Sequence, residues 1–268
     1  MKKTTSDNTN PKQDPARNET ADDILYGVLR LFQPQGGQGP RVNVDTILLA
    51  HFARYPARSK VLEMGCAHGA IALILAERRR RRHPQRRFQA IDAFDINPAL
   101  VAMAVRNAEL NGLGENVRFF HADLREHRDL FPAERYDAVV MNPPYDEPDR
   151  SRPSENPAMA TAMHGNCASL REVVQAARYL LKNGGKLYLV LRAKRTGELF
   201  ALLDELNMRP KRARFVHPKP GREASVVLVE AVRASGDGMR VEAPLCIWGD
   251  DGTYTEELLT AYRLEDAQ

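Results

Sequence analysis

The chain contains 268 residues, of which 43% are hydrophobic and 28% are charged, and this composition is typical of an ordinary globular protein. Its length allows one sizeable domain or two small ones. The formal net charge of +4 permits a nucleic-acid partner without establishing one. The three cysteines and seven histidines have no metal-ligand spacing, so we predict no metal site.

Membrane and export signals are not recognisable in the sequence. The longest uninterrupted apolar run, residues 70–76, is much shorter than the roughly 20 residues of a membrane-spanning helix. The polar N-terminal residues lack the apolar core of a secretory signal. We therefore expect a cytoplasmic protein without a membrane partner.

The N-terminal region divides into two parts. Residues 1–21 are polar and lack hydrophobic periodicity, which predicts a disordered tail. Residues 22–58 predict a helical and loop extension that packs on the main domain. Within it, Asp22–Phe32 has helical spacing but could equally form a short strand, whereas Asn43–Arg54 predicts a helix.

From Ser59 the chain alternates between short apolar strands and amphipathic helices. Such alternation predicts a parallel sheet with helices on both faces. The helix that begins near Ser169 is predicted to close at Gly184 and Gly185. Two final strands, 209–218 and 223–232, follow each other without a helix and predict an antiparallel pair. The predicted fold class is α/β, with a seven-stranded, mostly parallel sheet and an antiparallel edge strand.

Ligands of such sheets bind beyond the carboxyl ends of the strands. The first strand leads into Glu63, Gly65, Ala67 and Gly69, where small residues let the backbone approach a ligand closely. A plain structural turn is the alternative interpretation. The spacing departs from the G-x-G-x-x-G dinucleotide fingerprint, which disfavours NAD.

Acidic residues end the next two strands. Asp95 could accept hydrogen bonds from both ribose hydroxyls of an adenosine-containing cofactor, or it could cap the next helix. Asp92, the alternative candidate for binding the ribose hydroxyls, lies in the middle of the same strand. Asp123 could accept a hydrogen bond from an adenine amine. Because no Walker lysine is present, we predict a nucleoside cofactor without a triphosphate, S-adenosylmethionine. Its predicted contacts are Glu63, Gly65, Ala67, Gly69, Asp95, Ile96, Asp123, Leu124 and Asn142.

The fourth strand ends in Asn142, Pro143, Pro144 and Tyr145. A planar NH2 group needs two acceptors, which the Asn142 side-chain oxygen and the Pro143 carbonyl can supply. Proline holds φ at about −65°, so these acceptors need little reorganisation during a reaction. Tyr145 can stack on a planar group, and stacking of a base contributes about 1–3 kcal/mol. We predict Asn142, Pro143 and Tyr145 as catalytic residues of methyl transfer to an exocyclic amine.

This tetrapeptide resembles that of amino methyltransferases that act on adenine, guanine or a glutamine amide. Across about residues 22–262, including Gln33 and Asp45, the chain resembles the bacterial tRNA(Val) (adenine-N6)-methyltransferases, which modify the adenine beside the anticodon. The resemblance implies a Rossmann-like class I methyltransferase domain over 59–262, S-adenosylmethionine as cofactor, and a monomer that binds valine tRNA. The chain departs from the family at Ala67, where a glycine is usual, and at Ser225-Val226.

Basic residues around the motif predict RNA binding as a set, although each is individually typical of a solvated charge. The candidate RNA contacts, together with Tyr145, are Arg150, Arg152, Lys219 and Arg222. Residues 146–166 could form a lid over the substrate. The segment Glu77–Arg87 contains five consecutive arginines, which indicate either a solvated helix end or a phosphate-binding patch.

Several functions remain open from the sequence. N6-methylation of a tRNA adenine is the first, and amino methylation of a ribosomal RNA base uses the same motif. N5-methylation of a glutamine in a translation factor is an alternative, which the arginine run and the missing separate N-terminal helical domain disfavour. A non-catalytic RNA- or ligand-binding module is the fourth, and the intact Asn142–Tyr145 motif disfavours it.

Overall fold

The computed structural model describes residues 18–37, 39–143 and 168–265. Its strands in chain order are β1 (Glu19–Ile24), β2 (Leu29–Pro34), β3 (Val61–Met64), β4 (Ile91–Asp95), β5 (Val117–His121), β6 (Tyr136–Met141), β7 (Leu181–Arg192), β8 (Met208–His217), β9 (Val226–Arg233), β10 (Arg240–Val241) and β11 (Leu245–Cys246). Its helices are α1 (Val44–Phe52), α2 (Ala70–Arg82), α3 (Pro98–Leu110), α4 (His127–Leu130), α5 (Leu170–Leu180), α6 (Thr196–Glu205) and α7 (Glu256–Tyr262).

A nine-stranded sheet with the order β10-β8-β9-β7-β6-β3-β4-β5, to which β11 adds beside β8, forms the centre of the fold. Strands β3 to β7 pair in parallel, while β9 pairs antiparallel with both β7 and β8. The seven predicted strands are β3 to β9, so the predicted α/β fold with an antiparallel pair at one side is confirmed. The two-residue strands β10 and β11 were not predicted. No helix in the described ranges is long and apolar enough to cross a membrane.

Hydrophobic layers cover both faces of the sheet, because successive strand residues point to opposite sides. In β7, Tyr188 and Val190 pack in the layer formed with α1 and α2, and Leu187 and Leu189 pack in the opposite layer with α5 and α6. All four side chains are at most 1% exposed. Burial on both faces explains why the strands are nearly continuous apolar runs.

A hairpin formed by β1 and β2 packs on α3. Asp22–Phe32 is therefore strand and turn rather than helix, and β1 begins at Glu19, inside the segment predicted as a disordered tail. The buried Glu19 carboxylate accepts two hydrogen bonds from Arg106, at 2.7 and 2.5 Å. Asn107 is fully buried and bonds both the backbone N–H and the carbonyl of Phe32. Contacts with α3 thus select the strand conformation over the helical one.

The segment between β2 and α1 is positioned by side-chain hydrogen bonds. Gln33 is buried, donates to Asp22 and accepts from the Val42 backbone N–H at 2.8 Å. Asn43 caps α1 by accepting from the Thr46 N–H. These bonds bring the start of α1 to the carboxyl edge of the sheet.

The arginine run at the end of α2 is divided: Arg78 and Arg79 are buried, whereas Arg80, Arg81 and Arg82 are exposed as in a solvated helix end. Arg78 is 7% exposed and donates to the carbonyls of Ala50, His51 and Ala53, where α1 ends. Arg79 is 8% exposed and donates to the carbonyls that precede β3 and β4. Arg80 and Arg81 pair with the buried Glu77. This end of α2 lies at the amino edge of the sheet, and its first two arginines connect structural elements.

Candidate active site

The loop between β3 and α2 makes a tight turn at the carboxyl edge of the sheet. Gly65, Ala67 and Gly69 have φ angles of +67°, +48° and +87°, which is the left-handed region. The backbone N–H of Gly69 donates to the Cys66 carbonyl at 2.8 Å, and that of Cys66 donates to the Phe94 carbonyl at 2.9 Å. Small residues permit this conformation, as the sequence indicated.

Gly69 has a packing role rather than a place on the cavity wall. It precedes α2, and a Cβ atom at this position would lie 2.8 Å from Cζ of Phe119 and 3.0 Å from Cβ of Ala104. Glycine therefore allows α2 to approach α3 and β5. Gly69 was predicted as a cofactor contact, and it is absent from the residues that line the cavity.

Three acidic side chains lie at this edge. Glu63 is 2% exposed and accepts from the Ala72 N–H at 2.8 Å, and burial raises its pKa well above 4.5. Asp95 accepts from the Ala67 and Asn97 N–H groups, both at 2.8 Å. The Asp95 carboxylate thus holds the glycine loop against the end of β4, and the helix cap itself is the next asparagine, Asn97.

Asp123, the third acidic side chain, is engaged by a neighbouring cation. Its carboxylate accepts from the backbone N–H of Arg125 at 2.9 Å and from the guanidinium of the same residue. These hydrogen bonds lower the pKa of Asp123 below 3.8. An adenine amine would therefore share this acceptor with Arg125. The rival Asp92 is buried behind the edge, where Tyr136 and Arg118 donate to it.

Asn142 and Pro143 directly follow β6, beside the glycine loop. They follow Met141, which packs near Gly65: a Cβ added to that glycine would lie 3.4 Å from Cε of Met141. Both Asn142 and Pro143 line the same cavity as the loop. Pro144, Tyr145, Arg150 and Arg152, and with them the whole of the proposed lid, fall outside the described residues.

A cavity of about 430 Å³ joins these elements. Its size is within the usual range for small-molecule sites, about 300–1,000 Å³. The predicted residues that line it are Glu63, Gly65, Ala67, Asp95, Ile96, Asp123, Leu124, Asn142 and Pro143. Residues far apart in the chain therefore converge on one site at the ends of β3, β4, β5 and β6.

The sequence model of the family described as "Methyltransferase small domain" matches residues 42–209, more than half of the chain. The chain belongs to the methyltransferase small domain family. The matched range contains every described residue of the cavity wall except Pro40 and Arg41.

Curated relatives of this methyltransferase cover most of its length. It is 27% identical to a tRNA1(Val) (adenine(37)-N6)-methyltransferase of Tolumonas auensis, over 82% of this chain and 86% of that protein. It is 28% identical to the protein of the same name from Flavobacterium johnsoniae, over 82% of this chain and 89% of the relative. These relatives and the family match agree with the predicted resemblance.

The fold of the methyltransferase also occurs in solved structures. A protein of Agrobacterium tumefaciens, described as a predicted O-methyltransferase, superposes with a TM-score of 0.65 at 19% identity. The alignment covers 84% of this chain and 97% of that protein. At this identity the likeness supports the class I methyltransferase fold.

Sequence reasoning missed one whole side of the methyltransferase cavity. Its wall also contains Pro40, Arg41, Asn43, Thr46, Cys66, His68, Ala70, Ile71, Phe94, Ala122, Met141 and Ala168. The first three lie in the segment between the hairpin and α1, and Thr46 lies in the first turn of α1; this region precedes the strand–helix alternation. The polar cluster "PRVNVDT", Pro40 to Thr46, directly after a glycine-rich loop was the available signal.

Two predicted RNA contacts of the methyltransferase lie on the described surface. Lys219 and Arg222 are exposed in the turn between β8 and β9, and the N–H of Arg222 donates to the Lys219 carbonyl. Strand β8 runs parallel to β6, so this turn is at the same edge as Asn142. Within the described ranges neither side chain has an ion pair. The same ranges contain no group of three or more metal-ligating side chains.

Proposed function

We propose that this protein transfers a methyl group from S-adenosylmethionine to the exocyclic N6 of an adenine in tRNA. The observation that carries the proposal is the convergence of Asn142 and Pro143 with the glycine loop on a single cavity. The names of the relatives specify adenine 37 of tRNA1(Val), and we propose the same nucleotide here. The site residues proposed for this reaction are those predicted from the sequence, apart from Gly69, which does not line the cavity.

The cavity suits the proposed cofactor in size and in chemistry. One part of its wall is apolar, formed by residues such as Ile71, Phe94 and Met141, and another part carries Asp95 and Asp123. An aromatic base fits an apolar wall, and ribose hydroxyls are usually held by carboxylates at strand ends. We assign Asp95 and Asp123, with the loop at Gly65, to hold the cofactor, which would supply an activated methyl group.

The Asn142-Pro143 corner would position the acceptor. An exocyclic amine donates two hydrogen bonds, and the Asn142 side-chain oxygen and the Pro143 carbonyl are two acceptors on adjacent residues. They withdraw electron density from the N–H bonds and direct the nitrogen lone pair toward the methyl group. Because the corner is rigid, little reorganisation is needed during transfer. No base is required before attack, since the amine can lose its proton after the new N–C bond has formed.

RNA would approach the carboxyl edge of the sheet. An anticodon loop is single-stranded, so moving its adenine into a pocket costs little unstacking free energy. Lys219 and Arg222 are exposed cations on this edge and can neutralise backbone phosphates. Tyr145, Arg150 and Arg152 are proposed from the sequence alone as further contacts. The buried Arg78 and Arg79 are excluded from this role because their Nη groups bond carbonyls.

The proposal is tested with the full chain, labelled S-adenosylmethionine and unmodified tRNA transcripts. We expect label in N6-methyladenosine for valine tRNA and none for the same transcript with guanosine at the target position. Nucleoside mass analysis identifies the product. Label in ribosomal RNA or in a glutamine of a translation factor, with unlabelled tRNA, would contradict the proposal and favour the corresponding alternative. If none of these acceptors is labelled, the result would favour a non-catalytic RNA- or ligand-binding module.

A further inference from the structure

Four aromatic side chains of the C-terminal segment and the β1–β2 hairpin form a continuous row of rings. The rings of Trp248 and Tyr254 are stacked, with centroids 4.1 Å apart and planes at 27°. Tyr254 in turn stacks on Tyr262 at 6.5 Å and 21°, and the ring of Tyr262 lies 6.3 Å from that of Tyr26 in the hairpin turn. We call Trp248, Tyr254, Tyr262 and Tyr26 the aromatic strip. The proposed reaction does not use any of these side chains.

Two rings of the aromatic strip are open to solvent. Tyr254 is 41% exposed and Tyr26 is 68% exposed. Tyr26 also has a φ of +56°, a left-handed conformation that is unusual for a bulky residue. Single exposed apolar residues are ordinary on protein surfaces, whereas a contiguous exposed apolar patch indicates an interaction site. The contact of these rings with one another therefore points to a binding surface.

The aromatic strip begins at the carboxyl edge of the sheet, on which the cavity also lies. Strand β11 pairs in parallel with the end of β8, and the Trp248 N–H donates to the Pro218 carbonyl at 3.0 Å. Helix α7, which starts two residues after Tyr254 and ends at Tyr262, packs against α1. Thr46 in the first turn of α1 lines the cavity. Packed helix axes lie about 8–10 Å apart, so an RNA whose adenine occupies the cavity can reach the strip with nearby unpaired nucleotides.

The charges beside the aromatic strip are mixed. Lys219 and Arg222, the exposed cations proposed to contact phosphates, directly follow Pro218 in the β8–β9 turn. Glu256 and Glu257 in the first turn of α7 are each paired with an arginine at 2.5 Å, so their charges are compensated. Exposed carboxylates are also present in the neighbouring turns, at Glu223, Asp250 and Asp251. Stacking uses the flat face of a base and needs no charge, so these surroundings favour contact with a base over contact with further phosphates.

We propose that the aromatic strip stacks on an unpaired base of the RNA substrate, outside the pocket for the target adenine, with Tyr254 as the main contact. This inference rests on the proposed function and deepens it. Because every base has a flat face, such a contact requires an unpaired nucleotide rather than a particular base. An anticodon loop supplies unpaired nucleotides beside its target. The strip would thus favour a single-stranded loop over duplex RNA as the substrate.

Substitutions of Tyr254 in the full chain test the proposal, with unmodified valine tRNA as the ligand. We expect Tyr254→Leu to weaken tRNA binding about 5- to 150-fold, the range for the loss of one stacked base. Tyr254→Phe keeps the ring and should bind within about twofold of the wild type. Stacking releases no counterions, so the slope of log affinity against log salt should not change in either variant. Phe120→Leu, at an exposed aromatic residue of the edge strand β5 at the other side of the sheet, is the control and should bind tRNA as the wild type does.

Two further readouts locate the contact. Trp248 is the single tryptophan of the chain, so its fluorescence reports on the strip, and we expect tRNA to quench it. Abasic nucleotides are then placed one at a time in the anticodon loop. At one position Tyr254→Leu should cause no further loss of affinity, because the base on which the ring stacks is already missing. Affinity for S-adenosylmethionine should stay within about twofold in Tyr254→Leu, which shows that the variant is folded.

Several results would overturn the inference. These are an equal loss of tRNA affinity in Tyr254→Leu and Tyr254→Phe, a constant effect of Tyr254→Leu at every abasic position, or no quenching of Trp248 by bound tRNA. Unchanged tRNA affinity of Tyr254→Leu would also overturn it and would assign the strip to a protein partner. Wild-type protein that neither binds nor methylates tRNA would contradict the proposed function itself, so the two failures are distinguishable.

Discussion

The two ends of helix α2 carry polar side chains that serve different purposes. At the amino end, both ring nitrogens of the buried His68 lack partners among the described residues, and the backbone is held in left-handed conformations. At the carboxyl end, the equally buried Arg78 donates to three carbonyls of α1 and the segment after it. The amino end therefore contributes to the wall of the cavity, whereas the carboxyl end connects structural elements of the fold. The local density of charged residues is highest at the carboxyl end of α2. This density alone does not distinguish residues of the cavity from residues that stabilise the fold.

The largest expected effect concerns the cavity at the amino end of α2. Asn142→Ala removes one of the two proposed amine acceptors, so we expect methyl transfer to fall about 100- to 1,000-fold, the size known for losing one preorganised hydrogen-bonding group. Affinity for S-adenosylmethionine should stay within about fivefold. Transfer is measured with labelled cofactor and binding by calorimetry. Asn116→Ala, at the opposite edge before β5, is the control and should leave both unchanged. A variant that transfers at the wild-type rate would remove Asn142 from the mechanism.

Gly69→Ala probes the junction between the loop and α2. A left-handed φ costs a non-glycine residue about 1–2 kcal/mol, and overpacking a core costs about 1–3 kcal/mol. Since φ is +87° and the new Cβ would lie 2.8 Å from Phe119, we expect a loss of about 2–5 kcal/mol in the free energy of unfolding, measured in urea. Gly197→Ala in α6 is the matched control, because nothing lies within 4 Å of its Cβ position. That variant should gain up to about 1 kcal/mol.

Arg78→Met tests the assignment of the carboxyl end of α2 to the fold. The substitution leaves the buried carbonyls at the end of α1 without donors. We therefore expect the free energy of unfolding to decrease by about 2–4 kcal/mol. The dissociation constant for tRNA should remain unchanged in the folded variant. Arg87→Met, an exposed position in the same basic segment, should change stability by less than about 0.5 kcal/mol. Weakened tRNA binding by the folded Arg78→Met variant would show that Arg78 contributes to RNA binding, and it would contradict this assignment.

The sequence predicted the sheet and the helices of the main domain because their hydrophobic periodicity is set by burial. It also predicted the cavity residues at strand ends, since parallel strands bring their carboxyl ends to one edge. The hairpin was ambiguous because Asp22–Phe32 has helical spacing, and long-range contacts with residues such as Arg106 and Asn107 of α3 select the strand form. Long-range contacts of this kind leave no local signal.

The ends of helices and strands, and the positions of side chains in loops, were the least predictable features. Helix α5 ends at Leu180 rather than at the glycine pair, because the chain turns directly into β7 to pair with β6. Gly184 and Gly185 instead lie at an irregularity of that pairing, where Gly184 has a φ of +76°. His68 and Arg41 carried no motif, and their place in the cavity wall depends on contacts between segments far apart in the chain.

Lys219→Ala and Arg222→Ala test whether the turn between β8 and β9, at the carboxyl edge of the sheet, binds RNA. Each side chain is exposed without a partner in the described part of the chain, so we expect stability within about 0.5 kcal/mol of the wild type. Binding of tRNA should weaken, and the slope of log affinity against log salt should decrease by about 1 per substitution. Arg87→Ala removes an equal charge at the opposite edge and is the control. Identical salt slopes for all three variants would show that the β8–β9 turn does not contact phosphates.

The smallest effect concerns Ala67, which has a φ of +48° where the resemblance led us to expect glycine. Ala67→Gly removes strain of about 1–2 kcal/mol and adds an entropic cost of about 0.5–1 kcal/mol, so we expect a net stabilisation of about 0.5–1 kcal/mol in urea. Ala122→Gly is the control, because Ala122 lines the same cavity without a positive φ, and this variant should lose stability. Loss of stability in both variants would mean that the Ala67 methyl group packs favourably enough to outweigh its strain. Opposite signs would show that alanine at position 67 bears a backbone strain that glycine would not, in a loop whose N–H at this position donates to Asp95.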